Sequence, residues 1–90
     1  MKYHIEWLQS ASDELTAIWI AAPSPLRKTI TAASHALDKQ LQINPDQQGE
    51  SRPNDRRIAF FPPLSVTFRV DEKSAVVTVI HVWCFQQHNQ

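Results

Sequence analysis

The chain predicts an α+β domain of order β-α-α-β-β-β, with an antiparallel sheet packed against an antiparallel helical hairpin, and three observations carry that expectation. Apolar and polar residues alternate over 3–7 and again over 64–70, which is strand periodicity. Between them lie two apolar stripes with intervals of three and four residues, which is helix periodicity, and from Ala75 to Phe85 almost every position is apolar.

Taking the elements in order, Tyr3, Ile5 and Trp7 alternate with Lys2, His4 and Glu6, so one side of this first strand needs cover. Ser10 is placed to cap the first helix, with Asp13 and Glu14 near the positive end of its dipole. Ala11, Leu15, Ile18, Trp19 and Ala22 form its apolar stripe, and Pro23 stops it. Ser24 as N-cap and Pro25 at the first helical position restart the chain, and Leu26, Ile30, Ala33, Leu37 and Leu41 form the second stripe. So short a connection folds the helices back on each other. Asn44-Pro45 ends the second helix, because proline disfavours a helical residue before it.

Residues 45–55 are polar and hold the only glycine, which reads as a mobile surface loop. Ile58 and Phe60 alternate in a short strand, and Pro62-Pro63 makes a rigid turn. Leu64, Val66, Phe68 and Val70 alternate with Ser65, Thr67 and Arg69, and Asp71-Glu72-Lys73-Ser74 is a hairpin turn. The apolar run from Ala75 to Phe85 suits a central strand covered on both faces. One domain is expected over residues 1–85, with 86–90 as a frayed tail.

Composition bounds the function. Ninety residues that are 42% hydrophobic can build one small core, and the single cysteine, Cys84, cannot form an internal disulfide. No segment has the roughly 18 apolar residues of a membrane span, and no secretory signal is visible, so a cytoplasmic protein with no membrane partner is expected. Nine basic and nine acidic residues cancel, so any anionic partner must be met by a local patch. Arg52, Arg56 and Arg57 supply a candidate patch, which reads equally as a solvated arginine loop. The histidines and Cys84 show no metal-ligand spacing, and one glycine cannot make a phosphate-binding loop, so neither metal nor cofactor is expected.

The order of elements, together with Asn44-Pro45, Gly49-Glu50-Ser51-Arg52, Pro63-Leu64-Ser65-Val66, Val70-Asp71-Glu72 and Val82-Trp83, resembles the RelE/ParE toxins of type II toxin-antitoxin systems over nearly the whole chain. That resemblance implies a toxin neutralised by a cognate antitoxin that wraps the helices and a sheet edge. Its ribonuclease members cut messenger RNA on the ribosome with basic residues and often a C-terminal tyrosine. Here Leu64-Ser65 stands where those members carry an aromatic-arginine pair, and His81-Val82-Trp83-Cys84-Phe85 lacks their last arginine and tyrosine.

The incomplete set favours the ParE-like alternative, a toxin that acts by binding a target such as DNA gyrase. In that reading Arg52, Arg56, Arg57, Arg69 and Trp83 are binding residues, since arginine forks and aromatic rings are enriched at interface hot spots. The other readings are a ribosome-dependent ribonuclease with an atypical site, for which Arg57 and His81 are the catalytic candidates, and a folded but inactive relative. By residue type His81 is a candidate acid or base, or it is a hydrogen-bonded strand residue, and His88 in the tail offers the same side chain. His81 and Cys84 are expected on opposite strand faces, which excludes a thiol-imidazole pair. If Trp7, Trp19 and Trp83 were all core residues, no aromatic surface would remain for a partner.

Overall fold

A computed structural model describes residues 2–85, and the tail at 86–90, with His88, lies outside the described residues. Strand β1 (His4–Trp7) leads into α1 (Gln9–Ala21) and α2 (Ser24–Ile43), followed by a single 3-10 turn at Pro45–Gln47. The chain then forms β2 (Glu50–Arg52), β3 (Arg56–Phe61), β4 (Leu64–Asp71) and β5 (Val76–Cys84). These make one five-stranded sheet in the order β1-β5-β4-β3-β2. The α+β class and its hairpin of helices are as the periodicities require. Among the described residues, no helix is long and apolar enough to cross a membrane.

Two features of the sheet depart from expectation. It is mixed rather than wholly antiparallel, because β1 runs parallel to β5, Ile5 facing Val77 and Trp7 facing Val79. The helical hairpin is the long crossover that a parallel pairing demands. The stretch at 45–55 is also not a free loop, since Glu50–Arg52 pairs antiparallel with β3. Neither helix start is capped by a serine. Leu8 rather than Ser10 occupies the first cap, and Pro23 rather than Ser24 the second, with no side-chain cap bond at either.

The core follows from strand parity. Leu64, Val66 and Phe68 on β4 are fully buried, and they face Phe61, Ala59 and Arg57 on β3 and Cys84, Val82 and Val79 on β5. Ala11 of α1 and Ile30, Ala33, Leu37 and Leu41 of α2 close over that side, with Tyr3, Ile5, Trp7, Leu15, Ile18 and Leu26 around them. Burying Phe68 alone is worth about 1.5–3 kcal/mol in transfer free energy. Both stripes read in the sequence therefore reach one core. The short strand β3 differs in hand: Ala59 enters the core, whereas Ile58 and Phe60 point to the other side.

Strand β5 is central but not covered on both faces, because His81 and Trp83 stay exposed. Its pairing shifts by one residue, Phe68 facing Val79 but Thr67 facing His81, so Ile80 is an inserted residue. The shift carries Val82 and Cys84 back to the core side, and it places His81 and Trp83 on the open face and Cys84 away from them.

The turns explain themselves locally. Asn54 and Asp55 take left-handed backbone angles between β2 and β3, which short polar side chains tolerate. Gly49 has φ of 65°, and a Cβ there would run into the Ile58 carbonyl. Gly49→Ala is therefore expected to lower stability by about 1–3 kcal/mol in urea unfolding, with β2 losing amide-exchange protection first.

At the β4–β5 turn, Asp71 Oδ1 accepts the Lys73 and Ser74 N–H groups at 3.1 and 3.3 Å. Hydrogen bonding from Ser74, with a smaller part from Lys73, holds its carboxyl below the usual range. A depressed folded-state value means that this stabilisation is complete above the unfolded-state value near ~3.9 and lost as pH falls through the folded one. The urea midpoint of the native chain is expected to drop more steeply below about pH 4 than that of Asp71→Asn, which cannot titrate.

Candidate functional site

The helices cover one face of the sheet and leave the other open, so alternation along each strand assigns residues to it. Registers across β1, β5, β4, β3 and β2 put Glu6, Thr78, Arg69, Arg56 and Arg52 in one row. The next row holds His81, Thr67, Ile58 and Glu50, and the third holds Trp83, Ser65 and Phe60. The open face thus has an arginine end and an aromatic end.

Four of the five sequence-derived binding residues share this face: Arg52, Arg56, Arg69 and Trp83. Arg52 pairs with Glu50 at 3.1 Å. Among the described residues, no carboxylate approaches Arg56 or Arg69 within 4.0 Å. The Nε of Arg56 is buried without a hydrogen-bond partner. Like charges directly across strands repel, so this row is electrostatically unsatisfied.

Arg57 is elsewhere. It faces Phe68, on the helix side, where its Nε donates to the Gln48 carbonyl at 2.9 Å and its Nη2 to the Gly49 carbonyl at 3.1 Å. Those bonds tie the 45–49 segment to β3. Arg57 and His81, paired in the ribonuclease reading, are on opposite faces of the sheet.

At the aromatic end Phe60 is 61% exposed and Trp83 42%. Phe60 and Phe85 stack tilted, with ring centroids 5.4 Å apart. Between Phe60 and Trp83, Ser65 is fully buried and its Oγ has no partner. A buried hydroxyl left unsatisfied costs about 1–3 kcal/mol.

Glu14 is a site residue that the sequence reading treated only as a helix-dipole partner. Its Oε1 accepts the Val82 N–H at 2.9 Å, and its Oε2 lies 3.4 Å from His81 Nδ1. β1 pairs with β5 only as far as Val79, so the Val82 N–H would otherwise lack an acceptor there. The carboxylate takes the place of a missing strand and fixes one ring nitrogen of His81.

A second surface lies between the helices. Leu15, Thr16, Trp19, Ile30, Thr31 and Ser34 line a cavity of about 240 Å³. Trp19 is 42% exposed rather than a core residue, and its Nε1 donates to Thr31 Oγ1 at 3.3 Å. Arg27 lies 4.5 Å from the centre of that ring. Its Nε and Nη2 donate to the Trp19 and Ile20 carbonyls, each at 2.9 Å, satisfying the end of α1 and its negative pole.

Cys84 lines a smaller cavity with Ile18, Ala22 and Leu26, and burial pushes its thiol above the usual range. It is a poor nucleophile in that setting. Among the described residues, no three His, Cys, Asp or Glu side chains converge as a metal site would require.

No protein-family model and no curated protein sequence matches the chain. Solved structures do match its fold. The toxin-antitoxin complex RelBE2 from Mycobacterium tuberculosis superposes with a TM-score of 0.74 at 16% identity, covering 93% of this chain and 92% of that one. The chromosomal ParDE toxin-antitoxin system of P. aeruginosa gives 0.73 at 17% identity, covering 94% and 98%. The isolated E. coli RelE toxin gives 0.56 at 16% identity, covering 97% and 88%. The fold is that of the RelE and ParE toxins.

The different settings of the arginines are separable by stability. Arg57→Ala is expected to lower unfolding free energy by about 2 kcal/mol through the loss of two charge-assisted bonds, whereas Arg69→Ala should change it by less than about 0.5 kcal/mol. Equal effects in urea titration would contradict the assignment of Arg57 to the segment it holds.

Proposed function

We propose that this chain, which has the RelE/ParE fold, is the toxin of a type II toxin-antitoxin pair. It acts by binding a protein target through the open face of its sheet, DNA gyrase being the target that the ParE resemblance suggests, and a cognate antitoxin neutralises it. The observation that carries the binding mechanism is the arrangement of the open face. Arg52, Arg56 and Arg69 are aligned at one end and Phe60, Trp83 and Phe85 lie at the other, the residue types that dominate interface hot spots. The ribonuclease set is dispersed by comparison, since Arg57 serves the 45–49 segment on the far side.

An antitoxin partner is supported by the neighbours that share this fold, which include the RelBE2 and ParDE toxin-antitoxin pairs. The cavity between the helices, with the half-exposed Trp19 in its wall, gives such a partner an apolar site separate from the open face. Toxicity and neutralisation then need not compete for the same residues.

One observation favours the ribonuclease as a second reading. Nδ1 of His81 lies 3.4 Å from a Glu14 carboxylate oxygen, an acid-imidazole contact of the kind that orients a general acid or base. Cleavage next to a ribose hydroxyl would also need cations at the phosphate, for which Arg56 and Arg69 are the available groups.

Induction in a bacterial host with pulse-labelling of new DNA and new protein tests both readings. DNA synthesis is expected to fall first, with the Arg56→Glu, Arg69→Glu double variant losing the arrest and His81→Ala keeping it. Protein synthesis falling first, together with loss of the effect in His81→Ala, would establish the ribonuclease instead. An inactive relative would affect neither.

A further inference from the structure

The open face has two unmet demands about 13 Å apart, four residues along β4. At one end Arg56 and Arg69 are opposite each other without a carboxylate, and the Nε of Arg56 is buried unbonded. At the other, the rings of Phe60 and Trp83 are exposed on either side of the buried Ser65, leaving apolar area uncovered. Between them the face is formed by Thr67, 8% exposed, with Ile58 and His81 beside it. An occupant must therefore bring negative charge to one end and an apolar anchor to the other.

We infer that the open face binds an amphipathic helix of a partner protein. The helix carries two acidic residues four apart and an aromatic or large aliphatic anchor seven residues beyond the second, on the same side. The inference rests on the binding reading above and names the chemistry of its partner. Seven residues of helix rise about 10 Å and eleven about 16 Å, each returning to within about 20° of the same face, so an anchor seven and eleven residues from acids spaced four apart brackets the span between the two ends.

A helix is favoured over an extended strand because the middle of a sheet face has no free backbone groups, so the occupant must satisfy its own. Discrete carboxylates are favoured over a nucleic-acid backbone because acids border the arginine row. Glu50 and Glu6 share the open face with it, and Asp55, Asp71 and Glu72 line the groove beside Arg69. Two carboxylates fit two unpaired guanidinium groups, each able to make a bidentate bond, whereas a continuous phosphate chain would run into those acids.

The probe is a stapled, fluorescein-labelled helical peptide with two Glu four residues apart and Phe seven residues beyond the second on the same face, titrated with the intact chain by anisotropy. Binding is expected to weaken at least tenfold for Arg56→Glu, Arg69→Glu and for Trp83→Ala, with unchanged thermal melting, and when the peptide Phe is moved to the opposite face. Trp83 and Arg69 are exposed, and the peptide change keeps the protein native, so loss of folding cannot imitate the result.

Undiminished binding to the charge-reversed protein, tighter binding of a labelled 12-nucleotide single-stranded RNA, or binding of neither probe would overturn the inference. The toxin reading is tested separately. Growth arrest with a silent probe removes this partner and keeps the toxin, and probe binding without arrest does the reverse.

Discussion

The alternation of β4 is the constraint on which the rest of the molecule depends. Leu64, Val66 and Phe68 are driven under the helices by their apolar area, and strand geometry then leaves Ser65, Thr67 and Arg69 on the other side. A slip of one residue would bury Arg69 and expose Phe68. Because neighbouring strands are read against β4, its register also decides which residues of β3 and β5 reach the open face. The core and the candidate site are two sides of one pattern, held in place by the free energy of burying one of them.

That pattern also separates residues of identical type. Arg56 and Arg57 are adjacent, and composition treats them alike, yet one belongs to the unsatisfied row and the other donates to two carbonyls behind the sheet. Arg57 is expensive to remove because its bonds substitute for secondary structure in the 45–49 segment. Arg56 and Arg69 face each other across β3 and β4 without a carboxylate between them, a like-charge pair that strand geometry leaves uncompensated.

Local periodicity made the helices and β4 legible. Ile30, Ala33, Leu37 and Leu41 could only form one helical stripe, and the α+β class followed from their placement between strand-like segments. Features set by partners distant in sequence were not legible. The parallel pairing of β1 depends on β5, some seventy positions away, and Glu50-Ser51-Arg52 has no alternation of its own to mark a strand. The serine caps were misplaced because each helix begins one or two residues earlier than a polar cap would allow. Glu14 escaped notice as a site residue because its partners, His81 and the Val82 N–H, come from the far end of the chain.

The Glu14 contact joins α1 to the open edge of β5. By accepting the Val82 N–H it completes β5 where β1 has ended, immediately beyond the inserted Ile80. The same carboxylate touches His81, so the side chain that repairs the sheet edge also holds a ring on the open face. His81 on the open face is thereby joined through Glu14 to α1, which contributes Leu15, Thr16 and Trp19 to the groove between the helices. The two surfaces are separate in space, and α1 touches both, lining the groove with one side and meeting His81 through Glu14.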